Sequence, residues 1–288
     1  SLSLIKGDTA FKPPDYEFRL TPIINFNHVE VEENRVLKAD PRLGRHRSDR
    51  HIALAEAFFD YHIRNVSDRY DFDSVRIGIQ PFSSDFRGFL FQDSQLGIRF
   101  FGDRDNNIFQ YNLAWFRRLE KDTNSLLNHI ERKIRDDDIF IANLYWQDFP
   151  VLGFQSQVTG IYNRNNEAGD FFFNDNEFIE RPASFGSERG RNYDVVYLGY
   201  NGDGHFDRLN LTTSFYTALG SNRDSAFTDE TADIQAFFFA AEPSIDFDWV
   251  RLRGSIIYAS GDNDPCLLYT SDAADDTPCV DLGGRRII

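Results

Sequence analysis

The sequence predicts an all-β fold, an antiparallel transmembrane β-barrel, from three observations. Apolar residues recur at every second position over stretches of about ten residues. The stretches are joined alternately by short turns and long polar loops, and aromatic residues (29 Phe, 12 Tyr, 3 Trp) make up 15% of the chain. A period of two puts successive side chains on opposite faces of a strand. An apolar, aromatic face backed by Gln, Asn and Arg matches lipid on one side and water on the other. Repeated along the chain, this gives about eleven strands, six rising and five descending, of an expected total of about 16–18. Single-chain bacterial barrels normally close with an even number, so the odd total reads as an incomplete barrel.

Element by element, the first strand is Tyr16 to Val31, with Tyr16, Phe18, Leu20, Ile24 and Phe26 outward and Glu17, Arg19, Thr21, Asn25 and Asn27 inward. After the charged loop Glu32 to Arg50, strand His51 to Val66 sets Ala53, Ala55, Ala57, Phe59 and Tyr61 on one side. A turn at Ser67 to Tyr70 leads to Asp71 to Pro81, then the loop Phe82 to Phe91, strand Gln92 to Phe101, and the Asp/Asn/Gly turn Gly102 to Asn107. Strand Ile108 to Arg118 alternates most clearly, with Phe109, Tyr111, Leu113 and Trp115 opposing Gln110, Asn112, Ala114 and Phe116. The stretch Leu119 to Asp137 spaces Leu126, Leu127, Ile130 and Ile134 as a short helix would, or is a loop packing over the mouth. Strands Asp138 to Gln147, Leu152 to Tyr162, Tyr193 to Tyr200, Phe206 to Ala218, Thr231 to Ala241 and Asp248 to Ser260 complete the series. Their turns are Asp148 to Val151, Asn201 to His205 and one containing Pro243; their loops are Asn163 to Asn192 and Leu219 to Glu230. In a bilayer the short turns would be periplasmic and the long loops extracellular.

Residues 266–288 form a separate segment. Cys266 to Ile288 resembles a sequencing adapter translated in one frame, so residues 1–265 are read as the partial barrel and 266–288 as a non-biological tail. Both cysteines, Cys266 and Cys279, lie in that tail, and Met is absent throughout. Without cysteine, the barrel segment has no thiolate metal site and no cysteine nucleophile. The tail carries −2 of the net −15, leaving −15 − (−2) = −13 for the rest, too acidic for a nucleic-acid partner. The absence of Met and the adapter-like tail read as an internal fragment from assembled environmental reads, with the true start of the gene expected upstream.

Parity places Arg19, Arg76, Arg99, Arg251 and Arg253 on the water-facing side with Gln110, Asn112 and Asn143, and these eight are the candidate pore-lining residues. A lipid-facing arginine at mid-depth would cost about 2–4 kcal/mol. Inward arginines favour anions and bind carboxylates through two parallel hydrogen bonds. Alternatively each arginine pairs with an inward acid such as Glu17, Glu56 or Asp60 and sets no selectivity. His28, Glu30 and Glu32 alternate on one face, where a solvated rim explains them better than a metal site. Asp103 to Asn107 and Asp262 to Asp264 lack the glycine and distal Glu of a calcium loop. No catalytic residue, metal ligand or cofactor motif is assigned. By parity His51 and His62 take opposite faces, and Ser156 faces outward without a histidine beside it, so no enzyme is expected.

The phrases DSVRIGIQPFSSDFRGFLFQDSQLGIRFFGDRDNN (Asp73 to Asn107), QYNLAWF (Gln110 to Phe116) and YASGDNDP (Tyr258 to Pro265) resemble the alginate-export porins of Gram-negative outer membranes. The resemblance implies a monomeric barrel of about eighteen strands. It also implies passive diffusion or export of hydrophilic, anionic solutes or polysaccharide through an arginine-lined interior, with Arg76 and Arg99 best placed, and outer-membrane lipid as the other partner. The rivals are a non-conducting structural or adhesive surface barrel and a soluble carbohydrate-binding β-protein.

Overall fold

The computed structural model describes residues 1–7, 13–170, 172–181, 183–184, 187–188, 192–223 and 231–260. The tail at 266–288 and the Asp262 to Asp264 segment lie outside them. One antiparallel sheet of thirteen strands carries the fold. They are β1 (Leu2–Lys6), β2 (Tyr16–Glu30), β3 (His46–Asn65), β4 (Phe72–Ser83), β5 (Gln92–Arg104), β6 (Phe109–Arg117), β7 (Asp137–Trp146) and β8 (Phe154–Asn166). Then follow β9 (Asn192–Phe206), β10 (Leu209–Asn222), β11 (Ala232–Phe247), β12 (Val250–Arg253) and β13 (Ile256–Ala259). Each pairs with its neighbour in sequence, except that β12 and β13 both pair with β11, and the sheet is not closed on itself. The eleven expected strands are present, the last of them (Asp248 to Ser260) split into β12 and β13, and β1 adds another, too short for its alternation to stand out. The tally of six rising and five descending is corrected accordingly.

The short connections place Asp or Asn where the backbone needs positive φ: Asp105, Asn106 and Asn107 between β5 and β6, Asp148 between β7 and β8, Asp207 between β9 and β10, and Asp248 between β11 and β12. Two expected turns are instead strand. Asn201 to His205 lies within β9, and its bend moves to Asp207 and Arg208. Gly202, next to the inward Asn201, faces outward by alternation and is covered by the Phe154 ring; a Cβ there would lie 2.6 Å from Phe154 Cζ. Pro243 sits inside β11, and the turn moves to Asp248 and Trp249. Its carbonyl accepts from Gly254 N at 3.0 Å. The N–H that proline lacks would face the same neighbour, so the ladder breaks there and separates β12 from β13.

A bulge in β3 corrects the expected parity. Thr21 faces Glu56 while Pro22 faces Leu54, leaving Ala55 as the extra residue. Ala57, Phe59 and Tyr61 remain outward, but Ala53, on the other side of the bulge, is 1% exposed on the inner face. His51 therefore faces inward as His62 does, and the two histidines do not take opposite faces.

The two faces of the sheet differ in chemistry. Across β6 to β11, Trp115, Phe140, Tyr162, Val196, Leu219 and the polar Gln235 form one outer row by register, and Leu113, Ala142, Gly160, Leu198, Thr217 and Phe237 the next. Trp115 stacks on Phe140 and Phe140 on Tyr162, and near the other end of the strands Phe109 packs on Trp146. These apolar residues are exposed: Leu113 is 53% and Leu198 51% accessible. The buried apolar cluster instead lies on the inner face, where Phe82, Phe91, Phe116, Ile139, Ile141 and Ile161 meet. Burying Phe116 completely contributes roughly 1.5–3 kcal/mol.

Among the described residues there is no α-helix, only a 3-10 turn at Pro41–Leu43. The helical spacing at Leu126 to Ile134 is not realised. Leu126 has φ +60°, and Lys121 and Asn128 form a β-bridge. Turn-type hydrogen bonds close the segment on itself, Asp122 accepting from the N–H groups of Asn124 and Ser125, and Asn128 ties it to the strand wall, so it is a loop.

Candidate pore-lining site

The inner face is polar where the strands leave the apolar cluster. Glu17, Arg19 and Thr21 of β2 face Asp60, Phe58 and Glu56 of β3, and Arg76 of β4 faces Arg99 of β5. Arg19 reaches Glu17 at 2.6 Å and Glu56 at 3.8 Å, and Arg76 reaches Asp60 at 2.7 Å. Phe58, 2% exposed, separates the two cations, with Arg76 4.3 Å and Arg19 5.4 Å from its ring centre. Arg99 differs. It donates to Asn112 Oδ1 at 2.7 Å and lies 4.4 Å from the Phe101 ring centre and 5.1 Å from that of Phe82. Among the described residues no carboxylate pairs with it. The register thus sets two guanidiniums side by side, with one carboxylate, Asp60, on the far side of Arg76.

All eight sequence-predicted residues are on the inner face, but in four different settings. Arg19, Arg76, Arg99 and Asn112 form the charged wall just described. Gln110 donates to Asn107 Oδ1 at 2.6 Å near the short-turn end. Asn143 is 4% exposed and donates to the Ser84 carbonyl at 3.0 Å, so it is covered and holds a loop. Arg251 pairs with Asp246. Arg251 and Arg253 line a polar concavity of about 550 Å³ with Asp203, His205, Glu242 and Ser244, away from the other arginines.

Sequence reasoning placed a loop at Phe82 to Phe91 without fixing its direction; residues 84–91, joining β4 to β5, turn into the interior. Ser84 and Asp85 are buried, and the Asp85 carboxylate accepts from the N–H groups of Arg87, Phe89 and Leu90. Asn143 and Gln157 both donate to Ser84 O, the latter at 2.6 Å. Across the interior, Phe89 packs edge-on to Phe238 with ring centres 5.1 Å apart, and Arg87 reaches Glu242 at 3.0 Å. A chain of side chains extends this anchorage: Asn201 donates to Gln157 and the Tyr216 hydroxyl donates to Asn201. The available signal was the four apolar residues Phe86, Phe89, Leu90 and Phe91 in a connection expected to meet water.

The loop joining β6 to β7 also packs inward. Leu119 N donates to Gln95 Oε1, Asn128 Nδ2 donates to the carbonyls of Leu54 and Ser94, and Lys121 pairs with Asp93 at 2.7 Å. Asp122 lies 3.6 Å from His51. Burial raises the Asp122 carboxyl's pKa, but hydrogen bonds from the Ser125 hydroxyl and N–H, the nearby His51 and the Asn124 N–H outweigh it, leaving the group below the ordinary carboxylate value. Further out, Asn176 donates to Asn124 at 3.0 Å and Lys133 meets Asp170 at 2.9 Å, so the long loops touch one another over the same end.

No family model matches this chain, and no curated protein matches it.

Proposed function

We propose that this chain forms the wall of an outer-membrane porin of a Gram-negative bacterium, passing hydrophilic, anionic solutes or polysaccharide by passive diffusion or export. The observation that carries this reading is the pairing of an exposed apolar outer face with an inner face bearing Arg19, Arg76 and Arg99. Nine residue steps separate Arg117 from Ile108, about 30 Å along a strand and about 23 Å in depth at a tilt of about 40°. That matches the roughly 25 Å apolar band of outer-membrane barrels. No helix among the described residues is long and apolar enough to cross a membrane, so strands would make the crossing. The resemblance to alginate-export porins supports the anionic substrate, and the carboxylate-free Arg99 gives such a solute a place to bind. Planar-bilayer recording tests the reading. Open channels with an anion-selective reversal potential support it, and an intact inserted protein without conductance refutes it.

The interior loops favour a second reading, a non-conducting surface barrel. Residues 84–91 cross to Phe238 and Glu242, and Arg19 and Arg76 are paired with acids. A bilayer-inserted protein that stays silent after removal of residues 84–91 would establish it.

A further inference from the structure

We propose that the outer face at the long-loop end carries a belt that binds phosphate-bearing lipid headgroups together with their divalent counterions. The inference rests on the membrane reading above and concerns a surface which that reading leaves unused. By register Arg117 of β6 faces Asp138 of β7, Asp138 faces Arg164 of β8, and Arg164 faces Asp194 of β9. Asp194 faces Ser221 of β10, which faces Asp233 of β11. Arg223, just beyond β10, fills the gap at Ser221 by reaching Asp194 at 2.9 Å. Positive and negative groups therefore alternate across six strands, at the strand spacing of about 4.8 Å.

This belt lies one outward position above the row of Trp115, Phe140 and Tyr162. The polar edges of that row reach up into it: Trp115 Nε1 donates to Asp138 at 3.0 Å and the Tyr162 hydroxyl donates to Asp194 at 2.7 Å. Aromatic side chains wet at one edge and apolar at the other mark the membrane–water boundary, so the belt stands at headgroup depth. The Arg164 side chain is exposed and makes no hydrogen bond or ion pair among the described residues; Arg117 pairs with Asp136 and donates to Arg135 O, and Arg223 pairs with Asp194, yet their side chains remain 38% and 45% accessible. Over the same strands, the outer row near the short-turn end, from Phe109 through Trp146, Ser156, Gly202 and Thr213 to Ala241, holds no charge. The difference between the two ends matches one leaflet whose headgroups carry phosphate. Guanidinium forks bind phosphate oxygens, whereas Asp138, Asp194 and Asp233 would repel them unless a divalent cation bridges the two. A leaflet of phosphorylated lipids crosslinked by such cations supplies both partners in alternation.

The test refolds the protein into phosphatidylcholine vesicles containing a minor fraction of bisphosphorylated lipid A with magnesium. Insertion is scored first by heat-modifiable migration, and co-purifying lipid is then counted by native mass spectrometry. The expected result is selective retention of lipid A, reduced by EDTA and lowered about fivefold for each arginine removed, hence about 25-fold in Arg117→Gln/Arg164→Gln, with insertion unchanged. Arg64→Gln, at the opposite end, should retain lipid A as the wild type does. Equal retention by the belt variant, or no preference for lipid A over phosphatidylcholine in an inserted wild type, overturns the belt alone. Failure of the wild type to insert in any vesicle overturns the membrane reading and the belt with it.

Discussion

Replacing Leu113 with arginine separates a lipid-facing surface from a water-facing one. Leu113 is 53% exposed on the outer face of β6, between Phe100 and Ala142 on the neighbouring strands. It lies four positions from Arg117 and five from Ile108, near the middle of the apolar band. In water an exposed strand Leu→Arg change would alter stability by no more than about 0.5 kcal/mol, since no cavity opens and no polar group is buried. At bilayer mid-depth the same change costs about 2–4 kcal/mol. The central expectation of about 3 kcal/mol is roughly a 150-fold shift in the folded-to-unfolded ratio. The assay is urea unfolding of protein refolded in phosphatidylcholine vesicles, followed by the fluorescence of Trp115, Trp146 and Trp249. Gln110→Arg, on the inner face of the same strand, is the control and should change stability by less than about 1 kcal/mol. A Leu113→Arg effect below about 0.5 kcal/mol would refute the assignment of this face to lipid.

Three further outcomes follow from the inner face and its loops. Asp60→Asn removes the one carboxylate beside Arg76 and Arg99, and should raise the anion-to-cation permeability ratio about fivefold, the effect of one charge at about 4 Å in water; the reversal potential in a salt gradient measures it. Phe89→Ala deletes the half-buried ring that ties residues 84–91 to Phe238, weakening the tether by about 2 kcal/mol and raising single-channel conductance, whereas Arg87→Ala should do little because its pair with Glu242 is partly exposed. The Asp122 carboxyl is held below its ordinary pKa, so its stabilisation of the β6–β7 loop is complete above about pH 4 and fades as pH falls through the lower folded value. Protease cleavage within residues 119–136 should therefore rise in strong acid, and Asp122→Asn should show the same cleavage at neutral pH.

Much of the sheet was legible because alternation is a local property. Gln110 to Phe116 reads the same in sequence and structure, and Arg76 and Arg99 follow from counting parity along β4 and β5. The bulge at Ala55 was not legible, because a run of Ala53, Leu54, Ala55 and Ala57 looks alike on either side of a one-residue slip. Pro22 opposite it was the available hint. Asn201 to His205 carries turn-forming residues, yet its glycines make room for the Phe154 ring, a contact supplied by another strand. The covered state of Asn143 depends on Ser84, 59 residues away in sequence, and local pattern holds no record of such a partner. The interior therefore followed from sequence only as far as the strands; the loops that fill it did not.

The most direct test of the central claim is a nitroxide scan of residues 108–118 in lipid vesicles, comparing collisions with oxygen, which concentrates in lipid, and with a water-soluble nickel chelate. Oxygen accessibility should peak at 109, 111, 113 and 115 and fall at 110, 112, 114 and 116. A nickel signal as high at 111 and 113 as in the turn at 105–107 would show water on both faces and contradict the account.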